Sequence, residues 1–90
     1  MGTEITLQNV TVDGDWIEGD IQVDVNELGL SLSKSQHFKT KKDVEQDIDL
    51  GSGFALRCIG TLEPPNYACV SGRITKDFVS VDLPKKCVSV

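Results

Sequence analysis

The feature that most constrains this fold is a pair of β-forming runs, residues 54–62 and 67–75, separated by Glu63, Pro64, Pro65 and Asn66. Two successive prolines cannot donate to a strand ladder, and they cannot continue a helix. A short break of this kind between two runs rich in β-branched and aromatic residues is typical of a hairpin. The sequence therefore predicts that the two runs pair antiparallel, with residues 63–66 as the turn.

Each run of this hairpin carries a cysteine, Cys58 in the first and Cys69 in the second. A four-residue turn is expected to place residue 60 opposite residue 69, which leaves the two thiols diagonal to each other and within bridging distance. We therefore predict a Cys58–Cys69 disulfide, with Cys87 free or paired between chains. The rival pairing, of Cys58 or Cys69 with Cys87, requires the terminal strand to lie beside the hairpin.

The first half of the chain alternates apolar and polar residues at the period of a β-strand. Residues 4–12 begin with Ile5 and Leu7 on one face and then change phase, which predicts a bulge near Gln8-Asn9. Asp13-Gly14 predicts a tight turn, and residues 20–26 and 28–32 alternate as further strands. The lysine-rich segment 33–42 is expected to be a long exposed loop or a charged edge strand.

The second half continues the same pattern. Residues 43–50 alternate as a strand, Lys76-Asp77 predicts a turn, Pro84 is expected to end the strand of residues 78–83, and residues 85–90 form a terminal strand. Short strands joined by short turns favour antiparallel pairing throughout. The predicted fold is a single all-β domain over residues 1–90, a compact antiparallel β-sandwich or partly open barrel of about eight short strands.

The net charge of the chain and its distribution along the sequence indicate which classes of partner to expect. The net charge is −5, and phosphate binding needs a basic surface, so nucleic acid is not expected as a partner. Residues 1–33 hold seven acids and no Lys or Arg, whereas residues 34–42 hold four lysines, which predicts a polarised surface. No apolar run reaches the roughly 18 residues of a membrane span, and no signal-peptide pattern opens the chain, so a soluble domain that does not bind membranes is expected.

Aromatic residues beside turns are the candidate contacts for a ligand, because exposed aromatics next to Asn and Asp are how small β proteins bind sugars or peptides. Trp16 could equally be a core residue. The predicted binding residues are Asp13, Asp15, Trp16, Asp20, His37, Phe38, Asn66 and Tyr67.

No catalytic or metal site is predicted. Asp13, Asp15, Glu18 and Asp20 offer oxygen ligands for calcium, but a turn followed by exposed acids explains them without a metal, and no cofactor is expected. His37 is the single histidine, and the lysines around it are expected to disfavour its protonation and to make it a poor catalytic partner. We therefore expect that the protein is not an enzyme.

A row of acids in the second half of the chain has two possible roles, docking of a basic partner or pairing within the protein. Asp43, Glu45, Asp47 and Asp49 fall on one face of the predicted strand and could dock a basic partner. Like charges at every second position repel one another, so pairing with the lysines of residues 34–42 is the alternative.

These features favour a small non-catalytic binding module, effector-like, toxin-like or lectin-like, that recognises a protein or a glycan. Secretion or surface exposure is expected, because a disulfide stabilises a thin-cored domain in an oxidising compartment. The alternative is an intracellular acidic inhibitor or regulator that acts by charge mimicry through residues 13–24 or 43–49, with its three thiols reduced. The sequence does not define an oligomeric state.

Overall fold

The computed structural model describes residues 2–90, and every regular element in this range is a β-strand. The strands are joined by turns of two or three residues. No helix occurs in this range, so none is present that could cross a membrane. The seven strands are β1 (Gly2–Asp13), β2 (Trp16–Glu27), β3 (Leu30–Lys41), β4 (Glu45–Gly51), β5 (Phe54–Glu63), β6 (Tyr67–Lys76) and β7 (Val79–Ser89).

The strands form two antiparallel sheets. The three-stranded sheet has the order β1-β2-β3, and the four-stranded sheet has the order β4-β5-β6-β7. The chain passes from one sheet to the other once, through the turn between β3 and β4, and within each sheet consecutive strands pair with each other. The prediction of an all-β, antiparallel sandwich is confirmed.

The strands are fewer and longer than predicted. Residues 28–32 and the lysine-rich segment 33–42 merge into β3, apart from the turn residues Leu28 and Gly29 and the terminal Lys42. Residues on both sides of Pro84 belong to β7, so the prediction that Pro84 ends its strand is wrong. Because β7 is an edge strand, the missing N–H of Pro84 is tolerated there. The register of β6 and β7 shifts at this level, between Val70 and Gly72.

The bulge predicted in the first strand is confirmed. The pairing of β1 with β2 shifts between Gln8 and Thr11, and Asn9 has a positive φ of 55°. Gly19 lies opposite this bulge, where an added Cβ would be 3.0 Å from the Cα of Val10. The bulge turns Val10 and Val12 toward the core that Ile5 and Leu7 already face.

The core lies between the two sheets, and in β1 and β2 it follows the predicted alternation, whereas Leu28 and Val44, which alternation also placed on apolar faces, are exposed in turns. Ile17, Ile21 and Val23 of β2 are at most 1% exposed, and Leu56 of β5 and Ile74 of β6 are fully buried. Burying each of these side chains stabilises the fold by about 1.5–3 kcal/mol relative to an exposed position.

Gly60 marks a close approach of the two sheets. A Cβ added there would lie 3.0 Å from Cδ1 of Ile17 and 3.1 Å from Cγ2 of Thr40, which belong to the opposite sheet. Glycine at this position therefore allows β5 to pack tightly against β2 and β3. Thr40 is itself buried, and its hydroxyl donates to the carbonyl of Lys41 at 3.3 Å.

The hairpin of β5 and β6 forms around the predicted turn, and the Pro64-Pro65 peptide bond is cis. The predicted Cys58–Cys69 disulfide is nevertheless wrong. Cys69 lies opposite Thr61 and not residue 60, and Cys58 lies opposite Gly72. A register that differs by one residue moves a side chain to the other face of a sheet, so Cys58 and Cys69 point in opposite directions.

The disulfide joins Cys69 to Cys87, which is the rival pairing. The two residues are direct cross-strand partners in β6 and β7, with their Cα atoms 4.0 Å apart. Cys58 is the free cysteine, and it is 3% exposed on the core face. Burial raises the pKa of the Cys58 thiol to about 11, so this thiol stays protonated and unreactive at neutral pH.

Candidate functional site

Within residues 2–90, the exposed large apolar side chains lie in or beside the turns at the two ends of the sandwich or at residue 90. Because successive strands are antiparallel, turns 14–15, 42–44 and 64–66 and residue 90 share one end, which we name the cleft end. Turns 28–29, 52–53 and 77–78 share the opposite end. Trp16, Val44, Tyr67 and Val90 are exposed at the cleft end, and Leu28 and Phe78 are exposed at the opposite end.

An apolar cleft opens at the cleft end, with a volume of about 270 Å³. The main chain of Val90 donates to the carbonyl of Asn66 at 2.9 Å, which holds the chain end against the turn between β5 and β6. Tyr67, which follows that turn, is 43% exposed. The lining residues are Val12, Leu62, Glu63, Pro64, Pro65, Asn66, Tyr67 and Val90.

Trp16 flanks this end on the outer face of the three-stranded sheet. It is 46% exposed, so the alternative that it is a core residue is wrong. The ammonium of Lys39 lies 5.6 Å from the centroid of its ring, within the range of a cation–π contact. Asp13 is the cross-strand partner of Trp16, and the carbonyl of Asp15 accepts a hydrogen bond from the main chain of Lys42 at 2.7 Å. The turn that carries Trp16 is thereby tied to the turn between β3 and β4.

His37 lies on the outer face of the three-stranded sheet, not in a loop. Its Nε2 is 2.8 Å from Glu18 and its Nδ1 is 3.0 Å from Asp20, which also accepts a hydrogen bond from Asn9. The hydrogen bonds to Asp20 and Glu18 raise the pKa of His37, and the bond from His37 lowers the pKa of Asp20. The expectation that neighbouring lysines disfavour protonation of His37 is therefore wrong, because the carboxylates of Asp20 and Glu18 on the neighbouring strand bond both ring nitrogens.

Phe38 is buried, with 4% exposure, so its prediction as an exposed contact is wrong. The segment around it is part of β3, where alternate residues point to opposite faces. Phe38 and Thr40 point into the core, and His37 and Lys39 point to solvent. The binding residues predicted from the sequence thus separate into Asp13, Asp15, Trp16, Asn66 and Tyr67 at the cleft end, Asp20 and His37 on the sheet face, and Phe38 in the core.

The acids of residues 13–20 do not converge. Asp15 lies 3.8 Å from the ammonium of Lys42, while Glu18 and Asp20 contact His37. Within residues 2–90, the single group of three potential metal ligands is Glu63, Cys69 and Cys87, far from these acids in sequence and on the other sheet.

Two acids of β4, Glu45 and Asp47, form ion pairs with an arginine of the neighbouring strand. The Nε of Arg57 is 2.9 Å from Asp47 and 3.8 Å from Glu45, so the predicted pairing of these acids with residues 34–42 is wrong. The reason is topological, because β4 pairs with β5 in the four-stranded sheet and not with β3. Arg57 also lowers the pKa of Asp47.

Larger hollows lie on the outer faces of the sheets. One of about 560 Å³ lies over the end of β1 and β2, and two of about 340 and 390 Å³ lie beside Arg57 and Arg73. These two arginines are cross-strand partners, and each is paired with a carboxylate, Arg73 with Asp82 at 3.4 Å. Polar residues make up most of the lining of each of these hollows, whereas apolar residues make up most of the lining of the cleft, so we regard the apolar cleft as the candidate ligand site.

Sequence reasoning missed several parts of this site. Val12, Leu62 and Val90 have ordinary alternating patterns, and only the packing of β1 beside the turn of β5 and β6 brings them together. The signals that were available, two prolines followed by Asn66 and Tyr67, indicated a turn and not a cleft. A comparison of the chain with protein-family models, with curated proteins and with solved structures found no match.

Proposed function

We propose that this protein is a non-catalytic binding module that recognises a protein partner through the cleft end. The observation that carries the proposal is the apolar cleft of about 270 Å³ beside the half-exposed Tyr67. An exposed apolar patch rimmed by polar groups is typical of an interaction site, and small concave sites of this kind accept one apolar anchor side chain.

The charges at the rim support a partner with basic residues near its anchor. Asp13 lies beside the neighbouring turn and forms no ion pair within residues 2–90, whereas Asp15 lies 3.8 Å from Lys42, and Glu63, which borders the cleft, contacts Lys85. Asp13 is therefore the acid that best supports a basic partner. Acidic groups at a rim steer a basic partner to the surface and change the association rate more than the final affinity. Apolar and proline side chains dominate the cleft, which supports a peptide segment more than a glycan, whose hydroxyls need a denser set of polar partners.

Action outside the cytosol is part of the proposal. The Cys69–Cys87 disulfide supports it, because such bridges form and persist in oxidising compartments. The alternative function, an intracellular inhibitor acting by charge mimicry, has less support from the acidic faces, since Asp47 is paired with Arg57 and Asp20 with His37.

Selection from a displayed random-peptide library, run in parallel with a glycan array, tests the proposed function. We expect peptides with an apolar anchor near basic residues to be enriched, and their binding to weaken with salt. Tyr67→Ala should lower the affinity by about tenfold or more, as truncation of a contact aromatic commonly does. Phe78→Ser, at the opposite end, is the matched control and should bind normally. Binding to glycans alone, or a loss caused by Phe78→Ser and not by Tyr67→Ala, would overturn the proposal.

A further inference from the structure

A second cluster of reactive side chains lies on the outer face of the four-stranded sheet. Glu63, Cys69 and Cys87 place one carboxylate oxygen and two sulfurs within 4.8 Å of one another. The carboxylate of Glu63 also contacts the ammonium of Lys85 on β7 and accepts a hydrogen bond from Thr61 at 3.2 Å. The side chain of Glu63 therefore reaches from β5 across β6 to β7, beside the disulfide.

The disulfide form offers no thiolate and so cannot hold a metal through these sulfurs. A dithiol reductant transfers its two electrons and two protons to the bridge and becomes a disulfide. A phosphine transfers two electrons and takes the oxygen of one water, whose two protons complete the thiols, and becomes a phosphine oxide. Each thiol then loses its proton when it binds a divalent metal, which makes the site of the reduced protein a pair of thiolates with one carboxylate.

We propose that the reduced protein binds zinc through Cys69, Cys87 and Glu63. Zinc is four-coordinate with Zn–S distances of about 2.3 Å, which places neighbouring ligand atoms about 3.8 Å apart in a tetrahedron. The three ligand atoms lie within 4.8 Å, so adjustments of about an ångström by side-chain rotation complete the site. The fourth position is left to water or to a ligand, and Lys85 releases Glu63.

The position of the free cysteine, Cys58, limits the proposed zinc site to the other two cysteines. Cys58 is buried on the opposite face of the same sheet, so it can neither join the cluster nor replace either of its sulfurs. The bound metal would join β6 to β7 at the same point as the disulfide, two residues after Tyr67 of the cleft. Reduced and oxidised forms would then both keep the end of β7 fixed beside the cleft.

Anaerobic titration of the phosphine-reduced protein with Co²⁺ and then Zn²⁺ tests this proposal. We expect one Co²⁺ per chain, with the visible bands of a tetrahedral site and a thiolate charge-transfer band that Zn²⁺ removes. Cys58→Ala should bind as the wild type does. Cys87→Ser should lose about 100-fold in affinity, and Glu63→Gln about 10-fold, since it removes one ligand of three.

Reduction could partly unfold the protein, so strand content is followed by circular dichroism in the same titration. A metal that binds only the folded state must restore this strand content as it is added. Absence of the charge-transfer band in the reduced protein, the same affinity in Cys87→Ser, a loss in Cys58→Ala, or equal binding by the oxidised protein would each overturn the proposal. None of these results depends on the partner proposed for the cleft.

Discussion

Reduction of the Cys69–Cys87 disulfide is predicted to destabilise the fold by about 3 kcal/mol. The bridge spans a sequence separation of 18 residues. For a loop of this length, the loss of chain entropy in the unfolded state contributes roughly 3 kcal/mol at 25 °C. In a domain of 60–100 residues, each kcal/mol shifts the melting temperature by about 4–8 °C, so reduction should lower it by roughly 12–24 °C.

Thermal and urea unfolding with and without a phosphine reductant, with metal excluded by a chelator, measures this effect. Cys58→Ala is the matched control, because it removes the free cysteine and leaves the bridge intact. Its stability should respond to the reductant as the wild type does, whereas the double variant Cys69→Ala/Cys87→Ala should not respond. If the reductant has no effect on the Cys58→Ala variant, the pairing derived from the strand register is wrong.

Three further predictions concern single residues. Gly72→Ala should destabilise the fold by about 3 kcal/mol in urea unfolding, because its Cβ would lie 2.1 Å from the carbonyl oxygen of Arg57; a stability within experimental error of the wild type would contradict this. Leu28→Asn should stabilise the fold by about 0.5–1 kcal/mol, because Leu28 has a φ of 54° in a turn that favours Asn; an unchanged urea midpoint would count against it. The NMR titration of His37 should give a pKa above the ordinary histidine value of 6.5, and Asp20→Asn should lower the pKa of His37. Because the pKa of His37 is raised in the folded state, its contribution to stability should be fully present below pH 6.5 and be lost as the pH rises through the folded pKa; equal titration in wild type and Asp20→Asn would refute the contact.

Local patterns in the sequence predict the fold class and several of its details. The bulge at Gln8-Asn9, the Asp13-Gly14 turn and the hairpin around Pro64-Pro65 each depend on residues that are close in sequence. Apolar alternation with a period of two specifies which face of a strand is buried, whatever the neighbouring strands are. This is why the buried faces of β1 and β2 could be predicted without knowledge of the topology.

The errors share a physical cause, which is that they required knowledge of strand pairing. The disulfide prediction failed because one residue of register decides whether Cys58 faces Cys69 or the core. The ionic state of His37 depends on Glu18 and Asp20, which lie on the neighbouring strand. Phe38 was judged by its lysine neighbours in sequence, although alternation in β3 points it inward.

The candidate site depends still more on long-range packing. Tyr67 and Asn66 could be selected from the sequence because they follow two prolines. Val12 and Val90 could not, since they are adjacent to the turn only after β1 and β7 have closed the sandwich. A cleft between sheets is a property of the assembled strands, and no single segment encodes it.

The most direct test of the proposed binding role is to map the contact surface by amide chemical-shift changes as a peptide selected from the library is added to the labelled protein. We predict that the largest changes occur at residues 12–16, 62–67 and 90, around the cleft. Changes confined to residues 28–29, 52–53 and 77–79 would place the ligand at the opposite end and contradict the assignment of the cleft as the binding site.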